Sequence, residues 1–279
     1  MRPPVPYFGG KITLGPAIAD LLPPHDHYVE PYCGSLAVLL AKKPSDHETV
    51  NDLDGRLMTF WRVLRDQPDD LARVCALTPH SRAEFDAAND TPAEDLADLE
   101  IARRVFVRLT QARTGQMRRT GWRHYVKPTG FRASMPDYLA GYVDRIAPAA
   151  ERLQHVSLEC LQAIDVIAKF GAYPDVLLYV DPPYLISTRG RGTWRSYQHE
   201  MGDEDSHREL AEALHAAQSA VVISGYPSDL YDRDLYAGWD RHTLAASTGQ
   251  GEGWSNRTEV LWSNRPLGTQ MRLDLGEAS

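Results

Sequence analysis

The tetrapeptide Asp181-Pro182-Pro183-Tyr184 closes an apolar run, Val176 to Val180. Neither proline can donate a ladder hydrogen bond and both fix φ at about −65°, so a strand must stop there in a rigid extended corner. The corner offers a carboxylate, a backbone carbonyl with no competing N–H, and an aromatic ring. These groups suit a planar ligand that carries an amino group. The carboxylate and the Pro182 carbonyl each accept one amino hydrogen, and the Tyr184 ring stacks on the plane. In an open parallel sheet, ligands bind at the carboxyl ends of the strands, which is where this corner falls.

A second constellation lies in His27 to Pro44, read as strand, acid, tight turn, glycine and helix. Glycine in such a turn lets a ligand approach the backbone closely. The dinucleotide fingerprint fails, because Leu36 stands where a second glycine is expected. Asp52 or Asp54 follows at the end of the next strand, placed to accept hydrogen bonds from ribose hydroxyls. An acid turn with a ribose acid fits an adenosine-containing cofactor that lacks a pyrophosphate. Cys33, inside the turn, reads as a small packing residue, since no histidine or other base stands beside it.

These groups need a scaffold. Strand-like runs occur at Tyr28–Val29, Thr49–Val50, Val156–Leu161, Val176–Val180, Ala220–Ser224, His242–Ala245 and Glu259–Trp262, and helical spacing at Leu57–Leu64, Leu96–Leu109 and Asp205–Gln218. Alternating strands and helices predict an α/β sheet. The middle of the chain reads as helical and loop-rich, an insertion at 57–149 between core segments 1–56 and 150–279. Three widely spaced cysteines suggest reduced thiols and no disulfide framework, the ten histidines lack metal-ligand spacing, and no metal is expected. No apolar run approaches a membrane span.

The net charge of −8 is unevenly distributed. No Asp or Glu occurs from Ile101 to Pro136, a window holding Arg103, Arg104, Arg108, Arg113, Arg118, Arg119, Arg123, Lys127 and Arg132. A second acid-free segment carries Arg189, Arg191 and Arg195 beside Trp194 and Tyr197. Such segments predict phosphate-contacting surfaces, with Arg103 and Arg104 among the phosphate contacts. Trp122 and Trp194, flanked by arginines, are candidates to stack on or wedge into a duplex.

Asp181-Pro182-Pro183-Tyr184 matches the D-P-P-Y motif of amino-group methyltransferases. The chain resembles, over nearly its full length and in motif order, the DNA adenine methylase (Dam-like) family of N6-adenine DNA methyltransferases. "PYFGGK" (Pro6 to Lys11) is similar to that family's N-terminal aromatic-x-G-G-K segment, and "EPYCGSLAV" to its cofactor turn. "NDLD" is similar to its ribose-binding acid, and Asp165 falls where an acid contacts the cofactor's adenine. "GDEDSHRELAEAL", "VVISGY" and "NRTEVLWSN" resemble its later helices and strands.

The resemblance implies a Rossmann-like, mostly parallel S-adenosylmethionine-dependent core with an inserted helical target-recognition domain. It implies Asp181, Pro182, Pro183 and Tyr184 as the catalytic corner. Cofactor contacts would come from Tyr7, Gly9, Gly10, Lys11, Glu30, Pro31, Tyr32, Gly34, Asp52, Asp165 and Asp181. Arg113, Gln116, Arg118, Arg119, Arg123 and Lys127 fall in the target-reading segment, with Arg189, Arg191 and Arg195 in support. Double-stranded DNA is the implied partner and S-adenosylhomocysteine the implied product. A monomeric, cytoplasmic protein of bacterial or phage origin is expected, with a cognate restriction endonuclease as an optional partner. The alternatives are cytosine-N4 methylation, which usually has Ser before Pro-Pro, methylation of RNA or of a protein amide, which typically has Asn there, and a non-catalytic DNA-binding protein with a decayed cofactor pocket.

Overall fold

The structure, a computed structural model, describes residues 1–90, 96–124, 134–188, 201–248 and 255–268. In chain order the elements are α1 (Gly15–Leu21), β1 (His27–Glu30), β2 (His47–Asn51), α2 (Gly55–Asp66), α3 (Pro68–Leu77), α4 (Arg82–Asp90), α5 (Asp98–Gln111), α6 (Met135–Val143) and α7 (Ile146–Leu153). Then follow β3 (Val156–Glu159), α8 (Ala163–Gly171), β4 (Val176–Val180), α9 (Glu204–Ala216), β5 (Ala220–Gly225), β6 (Asp240–Thr248) and β7 (Ser255–Ser263). All seven strand-like runs become strands.

The strands form one sheet in the order β3-β2-β1-β4-β5-β7-β6. The pairs from β3 through β5 are parallel, while β7 runs antiparallel between β5 and β6. β4 and β5 are buried at every residue, as the apolar runs Val176–Val180 and Ala220–Ile223 require. The strand order reverses between β1 and β4. At such a switch point the connections leave in opposite directions and open a crevice at the strands' carboxyl ends. The turn after Glu30 and the corner at Asp181 both lie there.

The expected helix after the β1 turn is absent; residues 37–41 form successive turns. One cause is visible. The Leu39 N–H donates to the Glu30 carboxylate at 2.9 Å, diverting it from a helical partner. Leu36 also sits in the left-handed region, with φ at 58°, so a leucine supplies the conformation expected of the missing glycine. The next strand pair is tied by Asn51, whose side-chain amide donates to the carbonyls of Pro31 (2.9 Å) and Leu161 (3.1 Å) and accepts from the Leu161 N–H (2.8 Å).

Six helices among the described residues, α2 to α7, lie between β2 and β3. α2 starts where Asp54 caps it, accepting from the Arg56 and Leu57 N–H groups. Phe60, Trp61 and Leu64 of α2 and Phe106 and Leu109 of α5 are buried in the same apolar cluster as Tyr28, Val50 and Leu177 of the sheet. The inserted helices and the sheet therefore share one core. At the other end of the insertion, Arg152 of α7 and Lys42 both donate to the buried Glu48 of β2 at 2.7 Å.

Leu36 sets two effects against each other. A left-handed conformation costs a residue with a side chain about 1–2 kcal/mol, while truncating a fully buried leucine typically costs about 3–5 kcal/mol. Burial is the larger effect at this fully buried residue. Leu36→Gly is expected to lower stability by about 1–3 kcal/mol, seen as a reduced urea midpoint at unchanged slope. A raised midpoint would show that backbone strain outweighs the packing.

Candidate active site

A cavity of about 750 Å³ opens at the switch point. It lies within the size range of small-molecule sites. All the residues expected at a cofactor line it: Tyr7, Gly9, Gly10 and Lys11 from the N-terminal loop, Glu30, Pro31, Tyr32 and Gly34 from the β1 turn, and Asp52, Asp165 and Asp181. The loop and the turn interlock closely. A Cβ on Gly34, whose φ is +45°, would lie 3.1 Å from the Tyr7 ring, and one on Gly10 would lie 2.9 Å from the Tyr7 carbonyl. Trp61 of α2 braces the turn from below, its indole N–H donating to the Gly34 carbonyl at 3.1 Å.

Charge in the cavity is one-sided. Asp52, Asp54, Asp165, Asp181 and Glu209 line it, beside a Glu30 carboxyl that burial pushes up to about 8, and Lys11 is the only cation among the described lining residues. Such a wall favours a cationic ligand. Two buried lining atoms, Ser35 Oγ and Asp54 Oδ2, have no hydrogen-bond partner among the described residues. Buried polar atoms in that state call for a ligand or water. Asp52 and Asp54 are used differently. Asp52 accepts from the Gly34 N–H at 3.1 Å and the Asp54 N–H at 3.0 Å, whereas Asp54 caps α2 with one oxygen and leaves the other open. Asp165, exposed, sits in the first turn of α8.

The Asp181 carboxylate is held from several sides. Lys11 Nζ donates to both oxygens at 2.8 Å, while Ser224 Oγ (2.9 Å) and the Tyr184 hydroxyl (3.0 Å) donate to Oδ1. Oδ2 keeps a lone pair clear of these donors. Burial alone would depress the Lys11 ammonium, but the carboxylates of Asp181 and Glu259 outweigh it and hold the group well above the usual lysine range. Asp181 and Pro183 line the cavity; Pro182 and Tyr184 are buried beside it.

Tyr184 departs from the expected open ring. It is 6% exposed, with Lys11 Nζ 4.9 Å above its ring and the Tyr226 ring edge-on at 4.7 Å. Its hydroxyl bonds Asp181 and makes a short contact with the Glu259 carboxylate. Glu259, Ser224 and Asn51 belong to the site's framework and were not singled out from the sequence. The one sequence signal for Glu259 was an acid at the head of an otherwise apolar run, Glu259 to Trp262.

The basic segment behaves differently from its sequence. Arg103 pairs with Glu84 and Glu100, Arg104 with Glu100, and Arg119 with Asp86 and Asp90. The compensating acids come from α4 and from the start of α5, outside the acid-free window. Arg108 is buried and donates to the Ala88 and Asn89 carbonyls, and Gln116 is buried as well. Arg113 is exposed, Arg118 is half-buried, and Arg123 lies over the Tyr138 ring at 4.9 Å. Trp122 stacks between His80 and His124, with the Arg82 guanidinium 4.7 Å from its ring. Lys127, Arg132, Arg189, Arg191, Trp194, Arg195 and Tyr197 lie outside the described residues.

Burial pushes the Glu30 carboxyl up to about 8 from 4.5, although the Tyr28 hydroxyl and the Leu39 N–H both donate to it. Between those two values the folded chain holds a proton that the unfolded chain has released. Stability must therefore fall as pH rises through that window. Glu30→Gln keeps an acceptor for both donors and carries no charge. Urea unfolding across the window should show a flatter pH dependence than wild type, the two proteins diverging by a few kcal/mol near its upper end. Parallel pH dependences would contradict the assignment.

The family profile described as "D12 class N6 adenine-specific DNA methyltransferase" matches residues 7–246. No curated protein matches the chain. Among solved structures, precorrin 8w decarboxylase from Methanobacterium thermoautotrophicum is similar at 9% identity, covering 88% of this chain and 84% of that one, with a TM-score of 0.34. That likeness is too slight to build on. No helix among the described residues is long and apolar enough to cross a membrane. With the D-P-P-Y corner set at the switch point of the sheet and the match spanning nearly the whole core, the chain belongs to the D12 class of N6 adenine-specific DNA methyltransferases.

Proposed function

We propose that this adenine-N6 DNA methyltransferase binds S-adenosylmethionine in the acidic cavity and acts on an adenine rotated out of the duplex to the cavity mouth. The observation that carries the reading is the Asp181 carboxylate, fixed by Lys11, Ser224 and Tyr184 with an Oδ2 lone pair left open. A sulfonium with an α-ammonium group suits a cavity whose described lining has five acids besides the proton-holding Glu30, and one lysine. When bound, S-adenosylmethionine supplies a methyl group on positively charged sulfur and leaves as the neutral thioether S-adenosylhomocysteine.

The adenine amine is a poor nucleophile because its lone pair is delocalised into the ring. Asp181 Oδ2 accepts one amino hydrogen and the Pro182 carbonyl the other, which draws the nitrogen toward tetrahedral geometry. Its lone pair then forms the C–N bond while the C–S pair stays on sulfur. The nitrogen, now positively charged, gives up one hydrogen as a proton through Asp181. Charge is dispersed in this step, so positioning and fixed electrostatics carry most of the acceleration. Lys11 fixes Asp181 in place as an acceptor, and Asp52 holds the β1 turn and would accept from the ribose hydroxyls.

Asp181→Ala should lose at least about a hundredfold in turnover with little change in cofactor affinity, because the acceptor acts chiefly in the transition state. Near wild-type methylation of a duplex would rule out this role. Asp52→Ala should weaken cofactor binding by about 1–3 kcal/mol in a calorimetric titration. An effect confined to Asp54→Ala would move the ribose contact there.

The helices at 57–149 are the proposed target-reading unit, with the reading surface set by the part of the basic segment that follows α5. Arg113 and Arg123 lie on that part, whereas Arg103 ties α5 to Glu84 of α4 and Arg104 pairs with Glu100 one turn back on α5. Arg113→Ala with Arg123→Ala should weaken duplex binding and reduce its log–log salt slope by about one unit for each phosphate that is no longer neutralised. Arg103→Ala should lower stability instead and leave the salt slope unchanged. A flattened slope in Arg103→Ala alone would place the DNA on the α4–α5 face.

A further inference from the structure

The Tyr184 hydroxyl has two carboxylate neighbours and one hydrogen. It lies 3.0 Å from Asp181 Oδ1 and in short contact with Glu259 Oε1. If both acids were ionised, the hydroxyl could donate to one of them only, and the other contact would press two lone-pair-bearing oxygens together. The charge balance is equally unfavourable. Among the described residues Lys11 is the one cation paired with either acid, and it bonds Asp181 at 2.8 Å while standing 3.5 Å from Glu259. Both Lys11 and Glu259 have side chains 5% exposed. A second, half-compensated negative charge in so dry a place is costly.

From this arrangement, which rests on the methyltransfer reading above, we infer that Glu259 is a positioning residue that carries a proton in the working enzyme. The Glu259 acid hydrogen donates to the Tyr184 oxygen, so the Tyr184 hydroxyl must donate to Asp181 Oδ1. That bond joins those from Ser224 and Lys11 and turns the open Oδ2 lone pair toward the substrate amine. The proton belongs on Glu259 and not on Asp181, because Asp181 has Lys11 on both oxygens and Ser224 besides.

Groups around Glu259 agree. The N-terminal loop presents Lys11, and β4 with its corner presents Tyr179, Asp181 and Tyr184. From β5 comes Ser224, which is not titratable and accepts from the Tyr179 hydroxyl at 3.3 Å. The register partner on β6 is the apolar Leu244. Burial raises the Glu259 carboxyl; Lys11 pulls it down, Asp181 pushes it further up, and the net direction is upward. Lys11, held well above the usual lysine range, titrates at still higher pH.

As pH rises, Glu259 ionises, the Tyr184 hydrogen turns toward it, and Asp181 loses a donor. The single-turnover rate of wild type on duplex DNA at saturating cofactor should then fall on the alkaline side by roughly tenfold to a hundredfold, the range for one bond to a charged group. Glu259→Gln, whose amide N–H replaces the acid hydrogen, should keep the neutral-pH rate within a few-fold and lose that alkaline limb. Glu259→Ala should be slow at every pH, with cofactor affinity unchanged. Tyr184→Phe should also lack the limb. Infrared difference spectra between neutral and alkaline pH should contain, beside the band of the Glu30 carboxyl, a second protonated-carboxyl carbonyl band that is missing in Glu259→Gln. Thermal unfolding would identify a variant that fails to fold, and the near-isosteric Gln variant carries the test in that case. An unaltered alkaline limb in Glu259→Gln, or no such band in wild type, overturns the inference. The infrared result does not depend on methyl transfer, so a wild type that shows the band but methylates no adenine would overturn the activity reading alone.

Discussion

The contact between the Lys11 ammonium and the Asp181 carboxylate governs the site. Asp181 has to be held in one orientation to grip a weakly nucleophilic amine, and a largely buried carboxylate without a charged partner is costly. Lys11 resolves this by bonding both oxygens at 2.8 Å from the opposite side of the cavity. The pair joins residues 170 positions apart in the chain. The N-terminal loop can therefore close over the cavity only when it is also docked on the β4 corner. The tight fit of Tyr7 against Gly34 and Gly10 sets where that loop sits.

The same loop connects the cavity to the inserted helices. The Phe8 N–H donates to the Gly115 carbonyl at 2.9 Å, and Arg145 donates to the Pro3 carbonyl at 3.1 Å. A displacement of the segment after α5 would be felt by the loop that carries Lys11. Because α2 and α5 share their apolar cluster with the sheet, the insertion cannot shift as an independent body without opening that core. The inserted helices and the acidic cavity thus meet at a shared core.

Much of this was legible in the sequence. Apolar runs bounded by turn residues marked the strands, since burial on both faces leaves little freedom in composition. Asp52 and Asp181 could be named from their places at strand ends, whereas Tyr7, Gly9, Gly10, Lys11 and Asp165 came from the motifs that carry the family resemblance. Tertiary partners were not legible. Nothing local says that Arg103 and Arg119 meet acids on α4, so an acid-free window read as an uncompensated surface. Tyr184 looked like an open ring because its identity does not reveal that its hydroxyl is bonded inward. Leu36 was read as a departure from the glycine pattern, yet its backbone takes the glycine conformation and its side chain is fully buried. Glu259 lay in a segment whose inward face only the register with β5 and β6 defines.

A structure of the enzyme with a duplex containing its target adenine and an unreactive, positively charged cofactor analogue would test the central claim most directly. The adenine amine should lie within hydrogen-bond distance of Asp181 Oδ2 and the Pro182 carbonyl, with Lys11 still on both Asp181 oxygens and the analogue in the acidic cavity. An amine held by other groups, or a Lys11 that has left Asp181 when the base is bound, would contradict it.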